Sequence, residues 1–177
     1  MSWRSGRSQR AAGSASEPAS VDSAAAEREA IRRLVRAPGE ARGLRPAAPD
    51  EVARLRDFFG RRVLRAYVDD YILGKYLRHV EIAGEWPRDT APEDYLGSPR
   101  HTVLDDTSSI YLTDSGEGEV WSVYFVGRVR RAWRGPNGWD RIVVIFNGEH
   151  HRFVTGFQPE DGDEYVASQG GFWLIAQ

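Results

Sequence analysis

The chain has 177 residues, 41% of them hydrophobic and 11% aromatic, with no cysteine and a formal net charge of −2. These figures exclude a disordered polyelectrolyte, a disulfide-stapled scaffold or thiolate metal centre, and a strongly basic nucleic-acid binder. No apolar run approaches the roughly 20 residues of a membrane span, and the Arg-bearing N-terminus lacks the apolar stretch of a secretory signal, so no membrane partner and a cytoplasmic location are expected.

Residues 1–48 carry nine Arg against five acids and read as a flexible basic extension. Its first 22 residues are rich in Ser, Ala and Arg. Residues 23–36 have high helix propensity, with Ser23 as cap, a thin apolar stripe of Ile31, Leu34 and Val35, and Pro38-Gly39 as the stop. All but one of the 24 cationic side chains are Arg, a bias that discounts Arg counts as evidence of RNA binding.

Residues 49–177 read as the folded domain. Asp50 is the expected cap of a helix in which Val52, Leu55, Phe58, Phe59, Val63 and Leu64 recur at helical spacing. A second helix is expected over 68–80, with Tyr71, Ile72, Tyr76 and Val80 on one face. Trp86-Pro87 breaks it, and Thr90 and Glu93 have the spacing of a capping box. Strands are expected at 102–104, 109–113, 120–126, 128–134, 141–146, 152–157 and 171–175, with Asn147-Gly148 as a tight hairpin turn. Helices followed by a meander predict an α+β fold, with N-terminal helices packed on one face of a twisted antiparallel β-sheet.

Several side chains could hold a phosphodiester. Lys75 and His79 lie four apart on a helix and share a face, presenting a cation and a titratable group together. Strand alternation places Thr155 on one face with Phe153 and Phe157. Arg128, Arg130 and Arg134 would form a row if 128–134 is one strand. Arg100-His101 precedes the first expected strand and could enter the cleft. Of His150 and His151, beside the hairpin turn, at most one can enter a given site. Tyr165 follows the acidic turn 160–164. Plain structural roles compete with each of these: His79 pairing with Glu81 or Glu85, and the Arg row as a solvated face.

Arg78-His79-Val80, Gly84-Glu85-Trp86 and Pro92-Glu93-Asp94-Tyr95 occur in this order. They precede Ile142–Phe146, Asn147-Gly148, Phe153-Val154-Thr155-Gly156-Phe157, Pro159 and Tyr165. The series resembles the ribonuclease toxin superfamily of barnase, EndoU, colicin-type tRNases and RelE-like toxins, the BECR fold. The resemblance covers roughly residues 75–166. The chain departs from the family in its acidic domain, in Trp86-Pro87, and in segment 101–134, which has no alignable counterpart. The resemblance implies a metal-independent endoribonuclease without cofactor, cleaving RNA such as tRNA by 2′-hydroxyl attack to a 2′,3′-cyclic phosphate. His79 would be base or acid, and Lys75 and Thr155 would assist it. Independently of the resemblance, the phosphate-holding candidates Arg128, Arg130, Arg100, His151 and Tyr165 would bind substrate. The resemblance further implies an immunity or antitoxin protein as partner and delivery to the cytoplasm of a target cell. The alternatives are a non-catalytic protein-binding module using the same sheet, and an assembly protein of a mobile element that docks through residues 23–36.

Overall fold

A computed structural model describes residues 25–31, 47–114, 121–162, 164–168 and 172–176. Residues 25–31 form helix α1. Helix α2 (Pro49–Arg65) starts at Pro49, whose missing N–H is harmless in a first turn. Glu51 accepts from the Ala48 N–H at 2.7 Å. Asp50 is therefore not the cap; it lies inside the first turn and pairs with Arg54. The apolar stripe buries Leu55, Phe58, Phe59 and Val63, each contributing about 1.5–3 kcal/mol of transfer free energy before entropy is counted.

Helix α3 (Asp70–Tyr76) is capped by Asp69, whose carboxylate accepts from the Ile72 N–H at 2.8 Å. It runs directly into a π-helical turn, Leu77–Ile82. Ile72, Tyr76 and Val80 are buried as expected, whereas Tyr71 is half exposed. In the short helix α4 (Pro92–Tyr95) Thr90 does not cap; its carbonyl accepts instead from the Tyr76 hydroxyl at 2.9 Å. Helix α5 (Gly97–Leu104) replaces the strand expected at 102–104. A three-residue segment cannot distinguish the two periods, and the Thr102 hydroxyl donates back to the Ser98 carbonyl.

Strands β1 (Ser109–Asp114), β2 (Trp121–Arg128), β3 (Arg141–Asn147), β4 (Phe153–Phe157) and β5 (Phe172–Ala176) form one antiparallel sheet in the order β4-β3-β2-β1-β5. Helix α6 (Glu164–Ser168) lies between β4 and β5 in the chain. The fold is thus α+β. Paired residues on neighbouring strands share a face, so Ile110, Leu112, Val123, Phe125, Ile142, Val144 and Phe146 form one buried face. Phe59 of α2 packs on it through Phe125 and Phe146. The other face carries Tyr111, Tyr124, Ile145 and Thr155 in one row. Helix α6 lies on that second face, where Tyr165 meets the Phe157 ring at 5.3 Å.

Three expectations need correction. The strand expected at 128–134 ends at Arg128 and is followed by a 3-10 turn, Arg131–Trp133, so Arg128, Arg130 and Arg134 form no row. The turn at Asn147-Gly148 is not a two-residue hairpin. The Asn147 side chain accepts from the His150 N–H at 2.7 Å, and the Asn147 N–H donates to the Arg152 carbonyl, so the loop runs to residue 152. Lastly, a bulge at Val154 pairs Phe153 with Phe146 but Thr155 with Ile145. Phe153 therefore faces the helices, and only Thr155 and Phe157 share the second face.

Of the helix expected over 23–36, residues 25–31 are helical and the others lie outside the described residues. Ile31 is 3% exposed against the core, and Glu27 pairs with Arg61. The Ala47 N–H donates to the Ile175 carbonyl at 2.9 Å. This described part of the extension is docked on the domain. Among the described residues no helix is long and apolar enough to cross a membrane.

Candidate active site

The π-helical turn ends when Ala83 N–H donates five residues back to the Arg78 carbonyl. Such turns recur at functional sites. Gly84 then adopts φ +65, a left-handed conformation that reverses the chain. The reversal returns Glu85 beneath His79, and the Glu85 N–H donates to the His79 carbonyl at 3.0 Å. Glu85 is a hub: its carbonyl accepts from the Gly135 N–H, one carboxylate oxygen meets His79 Nδ1 at 2.8 Å, and the other accepts from the Gln158 N–H at 2.6 Å. Gln158 is fixed in turn by donating to the Trp133 carbonyl.

The second nitrogen of His79, Nε2, lies 3.2 Å from the Thr155 hydroxyl. A carboxylate only accepts hydrogen bonds, so Nδ1 carries the proton toward Glu85. In the neutral ring Nε2 then holds the lone pair, and the Thr155 hydroxyl donates to it. The imidazole stacks on Phe157, with centroids 5.9 Å apart and planes 20° from parallel. Phe157 in turn meets Tyr165. Burial raises the Tyr165 phenol, with Tyr124 adding to the shift, so it stays a neutral donor at pH 7. On the edge of β4 the Tyr95 hydroxyl donates to the Gly156 carbonyl at 2.6 Å. Burial pushes the Tyr95 phenol up to about 12, opposed by hydrogen bonds with Thr155 and Gly156. No family model, curated protein or solved structure matches the chain. The site is therefore read from its own geometry.

His79, Thr155 and Tyr165 are brought to one face of the sheet. Arg128 lies on that face too, at its far end, paired across the strands with Arg141. Four other expected residues are placed elsewhere. Lys75 turns back along its helix and sits 5.2 Å from the Tyr71 ring centroid. Arg100 does not precede a strand; in α5 it caps the end of α2 by donating to the Val63 and Ala66 carbonyls. Arg130 donates to His101 Nε2 and stacks over Trp133. His151 is 3% exposed, held at φ 54 with its ring edge-on to Phe58 and Phe59, rather than solvated beside the turn.

In the sequence Glu85 stands as a pairing partner of His79 and, like Tyr95, within the motifs that carry the resemblance; no role for Tyr95, Gln158 or a stacked Phe157 is legible there. The Gly84-Glu85 step was the one signal available for Glu85. Among the described residues no three His, Asp or Glu side chains converge as a metal-binding group.

Proposed function

We propose that the chain is an endoribonuclease in which His79 serves as general base for the 2′-hydroxyl. The observation carrying this reading is the line Glu85–His79–Thr155: the carboxylate orients the imidazole, and the basic Nε2 points at a hydroxyl that a substrate hydroxyl can replace. In the reaction the 2′-oxygen loses its proton to Nε2 and bonds phosphorus. The bond from phosphorus to the 5′-oxygen breaks, that oxygen takes a proton from water, the hydroxide so formed recovers the proton held on Nε2, and a 2′,3′-cyclic phosphate results. Thr155, displaced from Nε2, is free to donate to a phosphate oxygen, and the neutral Tyr165 phenol supplies a further donor on the same face. The order of motifs resembling the BECR ribonuclease toxins supports the same reading. It extends to RNA such as tRNA as substrate and an immunity or antitoxin protein as inhibitor.

A non-catalytic protein-binding module is favoured by one observation, the 12% exposure of the His79 side chain. The two readings part in one assay. Full-length protein is incubated with total tRNA in EDTA beside His79→Ala and His79→Gln, with circular dichroism as the check on folding. A folded variant losing about 10²–10⁴-fold in rate fits a general base. Cleavage at the parental rate in either folded variant would remove His79 from the mechanism, and no cleavage by folded parent protein favours the binding module.

A further inference from the structure

A cavity of about 290 Å³ opens between the end of α2, the start of α3 and the β3–β4 loop. Its cations are Arg62, Arg65 and Arg152, joined by His150, and Tyr67 and Tyr71 form its rim. Among the described residues none of the three Arg is within ion-pair distance of a carboxylate. Glu27, the acid whose charge acts on Arg62, is bound to Arg61. Asp69 also lines the cavity, but its carboxylate caps α3, and the His150 ring lies 3.7 Å from Glu149.

The negative end of a helix opposes an anion. Here Arg100 donates to the carbonyls of Val63, in the last turn of α2, and of Ala66 just beyond it, and Arg62 donates to that of Phe58. Arg62 itself is fixed, its guanidinium 3.3 Å above the Phe58 ring centroid. Burial lowers its pKa to about 10, against the pull of Glu27 and with Arg61, Arg28 and Arg65 adding to the fall. Tyr67, at 73% exposure, and Tyr71, at 47%, are large rings left open to solvent. Cations alone would suit any acidic ligand. Cations beside open aromatic faces suit a nucleotide, whose phosphate and base use both.

We infer that this cavity is a binding subsite for a flanking nucleotide of single-stranded RNA, with Arg62, Arg65 and Arg152 on its phosphate and Tyr67 or Tyr71 against its base. The assignment rests on the ribonuclease reading for its substrate. Tyr71 and Ile72 line the cavity and His79 lies on the same continuous helix. His79 is seven positions on from Ile72, about 10 Å along an ideal axis, a distance that a short oligonucleotide bridges and a lone phosphate does not.

The test uses full-length His79→Ala protein, so that bound RNA survives, and a fluorescent single-stranded oligoribonucleotide read by anisotropy over a salt series. Arg65 and Arg152 are exposed, so Arg65→Glu/Arg152→Glu should fold. In that background it should weaken binding about tenfold or more and flatten the plot of log affinity against log salt by about 0.7, the contribution of one phosphate on a single strand. Tyr67→Ala should weaken binding with little change of slope. Unchanged affinity and slope in the Arg variant would overturn the subsite, as would binding of a poly-glutamate peptide without binding of the oligonucleotide. The parent reading is tested separately: no cleavage by wild-type protein, with charge-reversal still weakening RNA binding, sinks the nuclease and keeps the subsite. Cleavage with an unaltered KM in Arg65→Glu/Arg152→Glu does the reverse.

Discussion

Glu85 contributes to the candidate site by holding one tautomer of His79. In Glu85→Gln the amide can offer an acceptor to only one of the two N–H groups now bound, so one donor is left unpaired. Loss of such an orienting partner should lower kcat about 10–100-fold, with KM for RNA little changed; steady-state kinetics on the folded variant checks it, and an unchanged kcat refutes the positioning role. Tyr95 supplies a pH signature. Its folded-state pKa of about 12 lies above its ordinary value of 10.0. The neutral phenol's contribution is complete below pH 10 and is lost as pH rises toward 12. Urea titrations across that window should show a fall in stability that Tyr95→Phe flattens. Below it, Tyr95→Phe should cost about 1–3 kcal/mol by orphaning buried Gly156 groups. At this scale His79 and Thr155 were legible in the sequence, one as a lone His on a basic helix and the other as a hydroxyl near a strand end. Glu85 was legible as one of two nearby acids and as part of the Gly84-Glu85-Trp86 motif, but not as the group that orients His79, because a residue six further along a regular helix points away. It is the reversal at Gly84 that returns it.

At the scale of elements, two local irregularities set the site. The π-helical turn places His79 beside β4, and the bulge at Val154 separates Thr155 from Phe153, sending one to the site face and the other to the core. Neither has a sequence signature in a single chain, which is why the alternation of 153, 155 and 157 assigned all three to one face. The loop after β2 is equally specific. A Cβ on Gly135 would stand 2.3 Å from the Gly84 carbonyl oxygen and 2.6 Å from the Glu85 carbonyl carbon, backbone atoms that cannot rotate away. Gly135→Ala should therefore displace Glu85, lowering stability by about 1–3 kcal/mol and RNA cleavage with it. A urea midpoint and rate equal to the parent's would show that the loop yields instead. The three residues 102–104 are too few to tell the last turn of α5 from a strand, and the role of Arg100 is visible only once α2 and α5 are packed together.

For the whole molecule, the α+β class and the helix-covered face followed from the order of periodicities, 3.6 first and 2 afterwards. The extent of the domain did not. Ile31 lies in the stretch expected to be a flexible extension, yet it is buried in the core. Ile31 was legible as part of a thin apolar stripe, but the nine Arg of residues 1–48 made the whole stretch read as a flexible basic extension. Ile31→Ala should lower the stability of the full chain by about 2 kcal/mol or more, read as a shift in urea midpoint; no shift would mean that α1 rests on the domain without supporting it.

Strand β5 joins distant parts of the chain. It completes the sheet beside β1, and its Ile175 carbonyl holds the Ala47 N–H. Two ends of the domain, 128 positions apart by subtraction of those numbers, thus meet in one hydrogen bond. Contacts so remote in sequence can form only after a long loop has closed, and its entropy must be lost before any packing repays it. Assembly of this molecule is accordingly a slow search for a last partner: the helices and the β2–β3 hairpin can come together early, while β1 waits with an open edge for β5. Stopped-flow refolding should show helix signal preceding the burial of tryptophan, and the interval between them is when the chain is most exposed to edge-to-edge association with its neighbours.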